Sequence, residues 1–125
     1  MNPEQPSPSQ LVTNGVLRAA RELGLTGTAL SRITGLSAAT VSRLNRGAWT
    51  LQEDTKAYEI SLVLIRIHHA LKAVMGNNSK RMKAWLRDRN EEMGQAPLAL
   101  LQRIQGLFHV LSYLERLKPG GLLRA

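Results

Sequence analysis

Cysteine is absent from the 125 residues, and aromatic side chains make up only 4% of them. Without cysteine there is no disulfide framework, no thiolate nucleophile and no cysteine-ligated zinc, a composition suited to a reducing cytoplasm. With so few aromatics, the 43% apolar content falls mainly on Leu, Ala, Ile and Val. These interdigitate between helices better than they build a sheet of aromatic and β-branched pairs. No apolar run approaches the ~18 residues of a membrane span, and the opening MNPEQPSPSQ has neither the basic start nor the apolar stretch of a signal peptide. Acidic groups are also sparse: 9 Asp and Glu stand against 17 Lys and Arg, a net charge of +8, so a polyanion or an acidic protein surface is the expected partner. Together these features predict an all-α, soluble, cytoplasmic protein.

Three of the five prolines fall in the first eight residues, where each removes a backbone donor and biases its predecessor away from helix, so residues 1–9 read as a disordered leader. Ser9 is the expected N-cap of a first helix over 10–23, ending at Gly24, with Leu11, Leu17, Ala20 and Leu23 facing inward. A second helix is expected from Thr26 to Thr34 and a third behind Ser37, ending near Asn45 to Gly47. Residues 48–56 (AWTLQEDTK) connect these to a long helix capped by Asp54 or Thr55 and stopped by Gly76. A further helix restarts behind Asn78 or Ser79, EEMGQA forms a loop, and Pro97 opens a short turn, PLALLQRI. Gly106 is expected to separate that turn from a last helix over 107–118 carrying Leu107, Val110, Leu111, Leu114 and Leu117 at helical spacing.

The stretch TGLSAATVSRLNRG, residues 34–47, has the offsets of a helix-turn-helix: a small residue in the first helix (Ser31), a glycine at the turn (Gly35) and apolar anchors in the second helix (Val41, Leu44). Leu30, Ile33 and Leu36 complete its small core. With Val41 and Leu44 inward, the opposite face presents Ser37, Ala38, Thr40, Ser42 and Arg43 to a major groove, with Arg46 just beyond the helix end. Arg43 suits a bidentate contact to guanine and Ala38 or Ala39 a thymine methyl, while Ser37 and Thr40 suit phosphates. Arg46, Arg18 and Arg32 add sequence-independent attraction. Residues 10–50 are thus the expected DNA-binding domain, and its alanine-rich reading face favours a dimer on two half-sites.

In the second half, Ile60, Leu64, Ile67, Leu71 and Val74 follow a four-three spacing, the pattern of a helix seam facing a partner helix. Leu62, Val63, Ile65 and Ala70 make the same helix apolar on other faces, so it has more to bury than one core, and the seam is assigned to a homodimer or higher assembly. His68 and His69 lack a His or carboxylate four residues away and are read as interfacial or packed polar residues rather than metal ligands. His109, Ser112 and Tyr113 have no acid and no oxyanion site to make a triad. No catalytic residue, metal site or cofactor is expected.

The order of residues over 82–117 completes the reading. Trp85 and Leu86, Asn90, Gly94, Pro97 and Leu98, Leu100 and Leu101, Gly106, and then Val110, Leu111, Leu114 and Leu117 form a pattern that resembles the C-terminal toxin-binding domain of the Xre/MbcA/ParS type II antitoxins. Physically, these residues read as a platform: Trp85 and Leu86 anchor a helix, Asn90 closes a loop, and Gly94 permits the backbone angle before Pro97. The resemblance implies a cognate toxin as partner, most often a RES-domain enzyme that consumes NAD or transfers ADP-ribose from it. It also implies occlusion of the toxin's active site by the antitoxin's C-terminal part, and repression of the operon by binding double-stranded operator DNA. On that basis residues 55–118 are the expected dimerisation and toxin-binding domain. The final helix with the tail KPGGLLRA is the expected blocking surface, the C-terminal tail over 119–125 carrying Leu122 and Leu123 to dock and Arg124 to pair with an acidic group. The alternative is a stand-alone helix-turn-helix repressor whose second half only dimerises.

Overall fold

The computed structural model describes residues 5–117. Among them the chain is all-α, with seven helices in the order α1 (Pro8–Leu23), α2 (Gly27–Thr34), α3 (Ala38–Asn45), α4 (Lys56–Met75), α5 (Ser79–Arg87), α6 (Pro97–Leu100) and α7 (Ile104–Leu117).

Most helix starts are set by single capping side chains. Thr26, Ser37, Thr55 and Asn78 each accept a hydrogen bond from the backbone N–H three residues on, satisfying a donor that the first helical turn leaves open. Helix α1 starts earlier than the sequence predicts. Its cap is Ser7, not Ser9: the Ser7 hydroxyl accepts from the Gln10 N–H at 3.1 Å, and the Gln10 side chain accepts from the Ser7 N–H at 3.2 Å. Pro8 then occupies the first helical position, where its missing N–H costs nothing. The expected leader therefore loses its last residues to the helix, and residues 1–4 lie outside the described part.

The buried face of α1 is also rotated from the expected one. Val12, Val16, Ala19, Ala20 and Leu23 are buried, Leu17 is half-buried, and Leu11 is 57% exposed. The three-four stripe beginning at Val12 is the one that α4 and α5 cover. Thr13 joins this face. Its hydroxyl donates to the Ser9 carbonyl at 2.6 Å and accepts from the Leu51 N–H at 2.9 Å. Buried Leu51 thereby ties the α3–α4 connection to α1.

Helix α4 is the central member and packs against α1, α2, α5 and α7. One continuous cluster of buried residues runs from Val12 to Leu114. At the far end, the loop after α5 is closed by Asn90. Its N–H donates to the Gln95 carbonyl, its carbonyl accepts from the Gly94 N–H, and its side-chain oxygen accepts from the Met93 N–H. Gly106 does not separate two helices. It is buried within α7, and a Cβ there would fall on the Leu100 carbonyl oxygen. The residue is small because α6 and α7 approach backbone to backbone, a requirement that helix-breaking propensity does not reveal.

Candidate nucleic-acid and partner interfaces

The turn between α2 and α3 is built from side chains that bond back to the chain. The Ser31 hydroxyl donates to the Leu36 carbonyl at 2.6 Å, and the Thr34 hydroxyl donates to the Leu30 carbonyl and accepts from the Leu36 N–H. Gly35 takes φ 80°, a left-handed angle that L side chains adopt only with strain. Leu30, Ile33, Val41 and Leu44 are buried beneath, fixing α3 so that its opposite side faces outward.

On that outward side Ser37, Ala38, Ser42, Arg43 and Arg46 are exposed and Thr40 is half-buried, with Arg32 exposed on α2. Ser37 is committed to its own helix: its hydroxyl accepts from the Thr40 N–H and donates to the Thr40 hydroxyl at 2.9 Å. Arg43 and Arg46 stand in and just after the last turn of α3. Among the described residues no carboxylate lies within ion-pair distance of Arg32, Arg43 or Arg46, nor of Arg18 or Arg21 on α1. The guanidinium groups are therefore available to an external anion.

The four-three seam of α4 lies elsewhere than expected. Leu64, Ile67 and Leu71 are wholly buried within the chain's own core, where α1 and α7 flank α4. They cannot form a surface for a second copy without unfolding the first. The physical reason is that α7 of the same chain occupies the place that the sequence reading gives to another subunit's helix. Of the five seam residues only Ile60, half-buried, and Val74, 36% exposed, reach the surface.

A further apolar surface, which the sequence reading does not single out, lies on α7. Ile104 and Phe108, one turn apart on α7, are 59% and 48% exposed. With Ile60, Val63 and Leu107 they line a groove of about 320 Å³ between α4 and α7, bordered by Lys56 and Glu59. Ile104 and Phe108 each stand three residues before a member of the Leu107, Val110, Leu111 and Leu114 stripe, at its edge, so the spacing widens the apolar face without saying that these two stay exposed.

His68 is buried, with its Nε2 3.2 Å from a Glu22 carboxylate oxygen. The ring nitrogen lacks the alignment of a well-formed hydrogen bond, and the nearby Glu22 carboxylate favours the protonated ring. Burial holds the His68 pKa below 6.5, outweighing the opposing pull of Glu22. His69, beside it, is exposed. Among the described residues no group of three His, Cys, Asp or Glu side chains could hold a metal ion, and no helix is long and apolar enough to cross a membrane.

The residues that carry the antitoxin resemblance form a scaffold. Trp85 is half-buried on α5 and stacks on Tyr113 of α7, with ring centroids 6.2 Å apart and planes 20° from parallel. Leu86, Pro97, Leu101, Val110, Leu111 and Leu114 are buried, whereas Leu117 is 42% exposed. Arg66 of α4 and Glu115 of α7 join outside this core at 2.8 Å. Leu122, Leu123 and Arg124, the expected docking residues, lie outside the described part of the chain.

No curated protein matches the chain. Residues 70–120, from the last turns of α4 through the end of α7, match the antitoxin Xre/MbcA/ParS C-terminal toxin-binding domain. That span is similar to this family of antitoxin domains, whose described role is toxin binding.

Proposed function

We propose that the protein is the antitoxin of a type II toxin–antitoxin pair, that it neutralises a RES-domain toxin by covering the active-site entrance, and that it represses its own operon through α3. The carrying observation is the family match over 70–120, supported by a scaffold in which Trp85, Asn90, Pro97 and Gly106 each have an identifiable structural task. The RES identity of the toxin rests on the resemblance, as does the role of Leu122, Leu123 and Arg124 as the plug. A charged group such as Arg124 entering a desolvated pocket requires an acidic partner there.

Operator binding is supported by the exposed face of α3, where Arg43 has no carboxylate within ion-pair distance among the described residues. Two copies are needed to read two half-sites, and the groove of Ile60, Val63, Ile104 and Phe108 is the surface we assign to the second copy. Its rim carries an exposed acid–base pair, Lys56 and Glu59, 3.6 Å apart. Both signs at one rim are self-complementary across a two-fold axis.

The deciding experiment is co-expression. The product of the neighbouring reading frame should arrest growth alone and be harmless with this protein. Deleting residues 119–125 should leave the fold intact and weaken rescue, and full rescue by the truncated chain would exclude the plug. If the neighbour's product is harmless by itself while the protein still binds its promoter, the stand-alone repressor is the correct reading.

A further inference from the structure

Helix α5 lies inside the span matched to the toxin-binding domain, yet one edge of it belongs spatially to the DNA-binding half. Lys80, Lys83 and Arg87 recur three and four residues apart, which places them on one stripe. The intervening Met82 and Leu86 point into the core, and Trp85, on another face, stacks on α7. The basic stripe meets the end of α1. A Cβ built on Gly24 would lie 3.1 Å from the Lys83 Cε and 3.2 Å from an Arg87 guanidinium nitrogen. Arg87 also donates to the Leu23 carbonyl at 3.1 Å and the Gly24 carbonyl at 2.6 Å.

Gly24 is three residues from the start of α2 at Gly27. Arg21, three residues before Gly24 on α1, shares a hollow with Thr26, Gly27 and Asn45, the last residue of α3. Cations therefore lie beside the α1–α2 turn. None of Arg21, Lys80, Lys83 and Arg87 has a carboxylate within ion-pair distance among the described residues. The bonds that Arg87 makes go to carbonyls and leave its charge uncancelled. In a helix-turn-helix complex the first helix of the pair crosses the phosphate backbone while the second enters the groove. Positive charge beside the start of α2 thus stands where a strand would pass.

We propose that the Lys80–Lys83–Arg87 edge of α5 is a contact for the phosphate backbone of duplex DNA, extending into the toxin-binding domain the basic track that begins at Arg21. The proposal rests on the DNA-binding reading of α3. It implies that the two halves of the molecule share one nucleic-acid surface, so that toxin seated near α5 changes the electrostatics of operator binding directly.

The test uses the full chain with Lys80→Ala and Lys83→Ala combined. Arg87 is left in place because its loss would uncap α1. Binding to the duplex upstream of the protein's own coding sequence and to random-sequence duplex is followed across a salt series. The double variant should keep its thermal midpoint, its preference for the upstream duplex and its neutralisation of the toxin. Its slope of log affinity against log salt should become shallower by about 1.8, roughly 0.9 for each lost phosphate contact. An unchanged slope, in a wild-type protein that does prefer its upstream duplex, overturns this inference and leaves the reading of α3 standing. Loss of toxin neutralisation with an unchanged slope would give the edge to an acidic toxin surface and equally overturn it. A wild-type chain with no preference for the upstream duplex would defeat the DNA reading itself.

Discussion

The Arg87 guanidinium on α5 donates to the Gly24 carbonyl at the end of α1, 2.6 Å away, and to the neighbouring Leu23 carbonyl at 3.1 Å. These carbonyls stand at the negative end of a helix, so the contact combines charge-assisted hydrogen bonding with the helix dipole. It also joins two distant parts of the sequence. Arg87→Ala should lower stability by about 1 kcal/mol, less than a buried charged hydrogen bond would contribute, because the side chain is exposed. Urea unfolding checks the value, and an unchanged midpoint would show that water caps α1 equally well.

Gly106 and Gly35 should respond oppositely to what their surroundings suggest at first sight. Gly35 sits in open space, but its φ of 80° makes Gly35→Ala a matter of local strain, about 1 kcal/mol. Gly106 has ordinary helical surroundings in sequence, but its missing Cβ is the room taken by the Leu100 carbonyl. Backbone cannot step aside as a side chain can, so Gly106→Ala should cost about 3 kcal/mol. Thermal unfolding of the two variants should give the larger fall for Gly106→Ala, and the reverse order would refute the close approach of α6 and α7.

Two apolar-to-acid changes should separate core from surface. Leu64 is wholly buried, so Leu64→Asp places an unpaired carboxylate in the core and should unfold the chain, since even truncation of a buried Leu costs about 2–5 kcal/mol. Phe108 is 48% exposed, so Phe108→Asp should leave the helical signal intact and shift a dimer to monomer in light scattering. A dimer that survives Phe108→Asp would remove the α4–α7 groove from the assembly.

The contrast between those residues shows how far the sequence is legible. Ser37 could be read as a cap, Thr55 and Asn78 as one of two candidates each, and Gly24, Gly35 and Gly76 as helix ends or turns, because each acts on backbone within a few residues of itself. Asn90 closing its loop and Thr34–Leu36 forming the turn are local in the same sense. Leu64, Ile67 and Leu71 were legible as a seam but not as to whose helix fills it: the spacing is identical whether the partner is α7 of the same chain or a helix of another. The sequence alone places Leu11 inward and Gly106 at a break for a related reason. Whether α4 covers one stripe of α1 or the next, and whether Leu100 crosses Gly106, are decided by residues far along the chain. For the candidate sites, the exposed face of α3 followed from the burial of Val41 and Leu44. The edge of α5 could not be read that way, because nothing in the spacing of Lys80, Lys83 and Arg87 says that α1 ends beside them.

Arg43 and Arg46 should differ in kind. Arg43 is exposed on the side of α3 away from Val41 and Leu44, so Arg43→Ala should cost about 1–3 kcal/mol of operator binding and relax the choice of base at one position. Arg46 follows the helix end, so Arg46→Ala should weaken all duplexes alike and reduce the salt slope by about 1. Titrations on operator and random duplex check both, and equal losses on the two duplexes for Arg43→Ala would remove it from base reading.

Folding should also be acid-sensitive through His68. Burial lowers its pKa below 6.5, against the pull of the nearby Glu22 carboxylate, with Lys72 and His69 adding to the lowering. The unfolded chain takes up a proton at this ring near pH 6.5 while the folded chain does not, so below that pH the unfolded state binds more protons. The contribution of the neutral, buried ring is therefore complete above pH 6.5 and is lost as the pH falls from there toward the folded-state pKa. The unfolding midpoint should drop between about pH 7.5 and about pH 5.5. In His68→Leu, which keeps an apolar side chain in the core but cannot titrate, the drop should be smaller. Equal acid sensitivity in the two proteins would assign the effect to other groups and free His68 from any part in it.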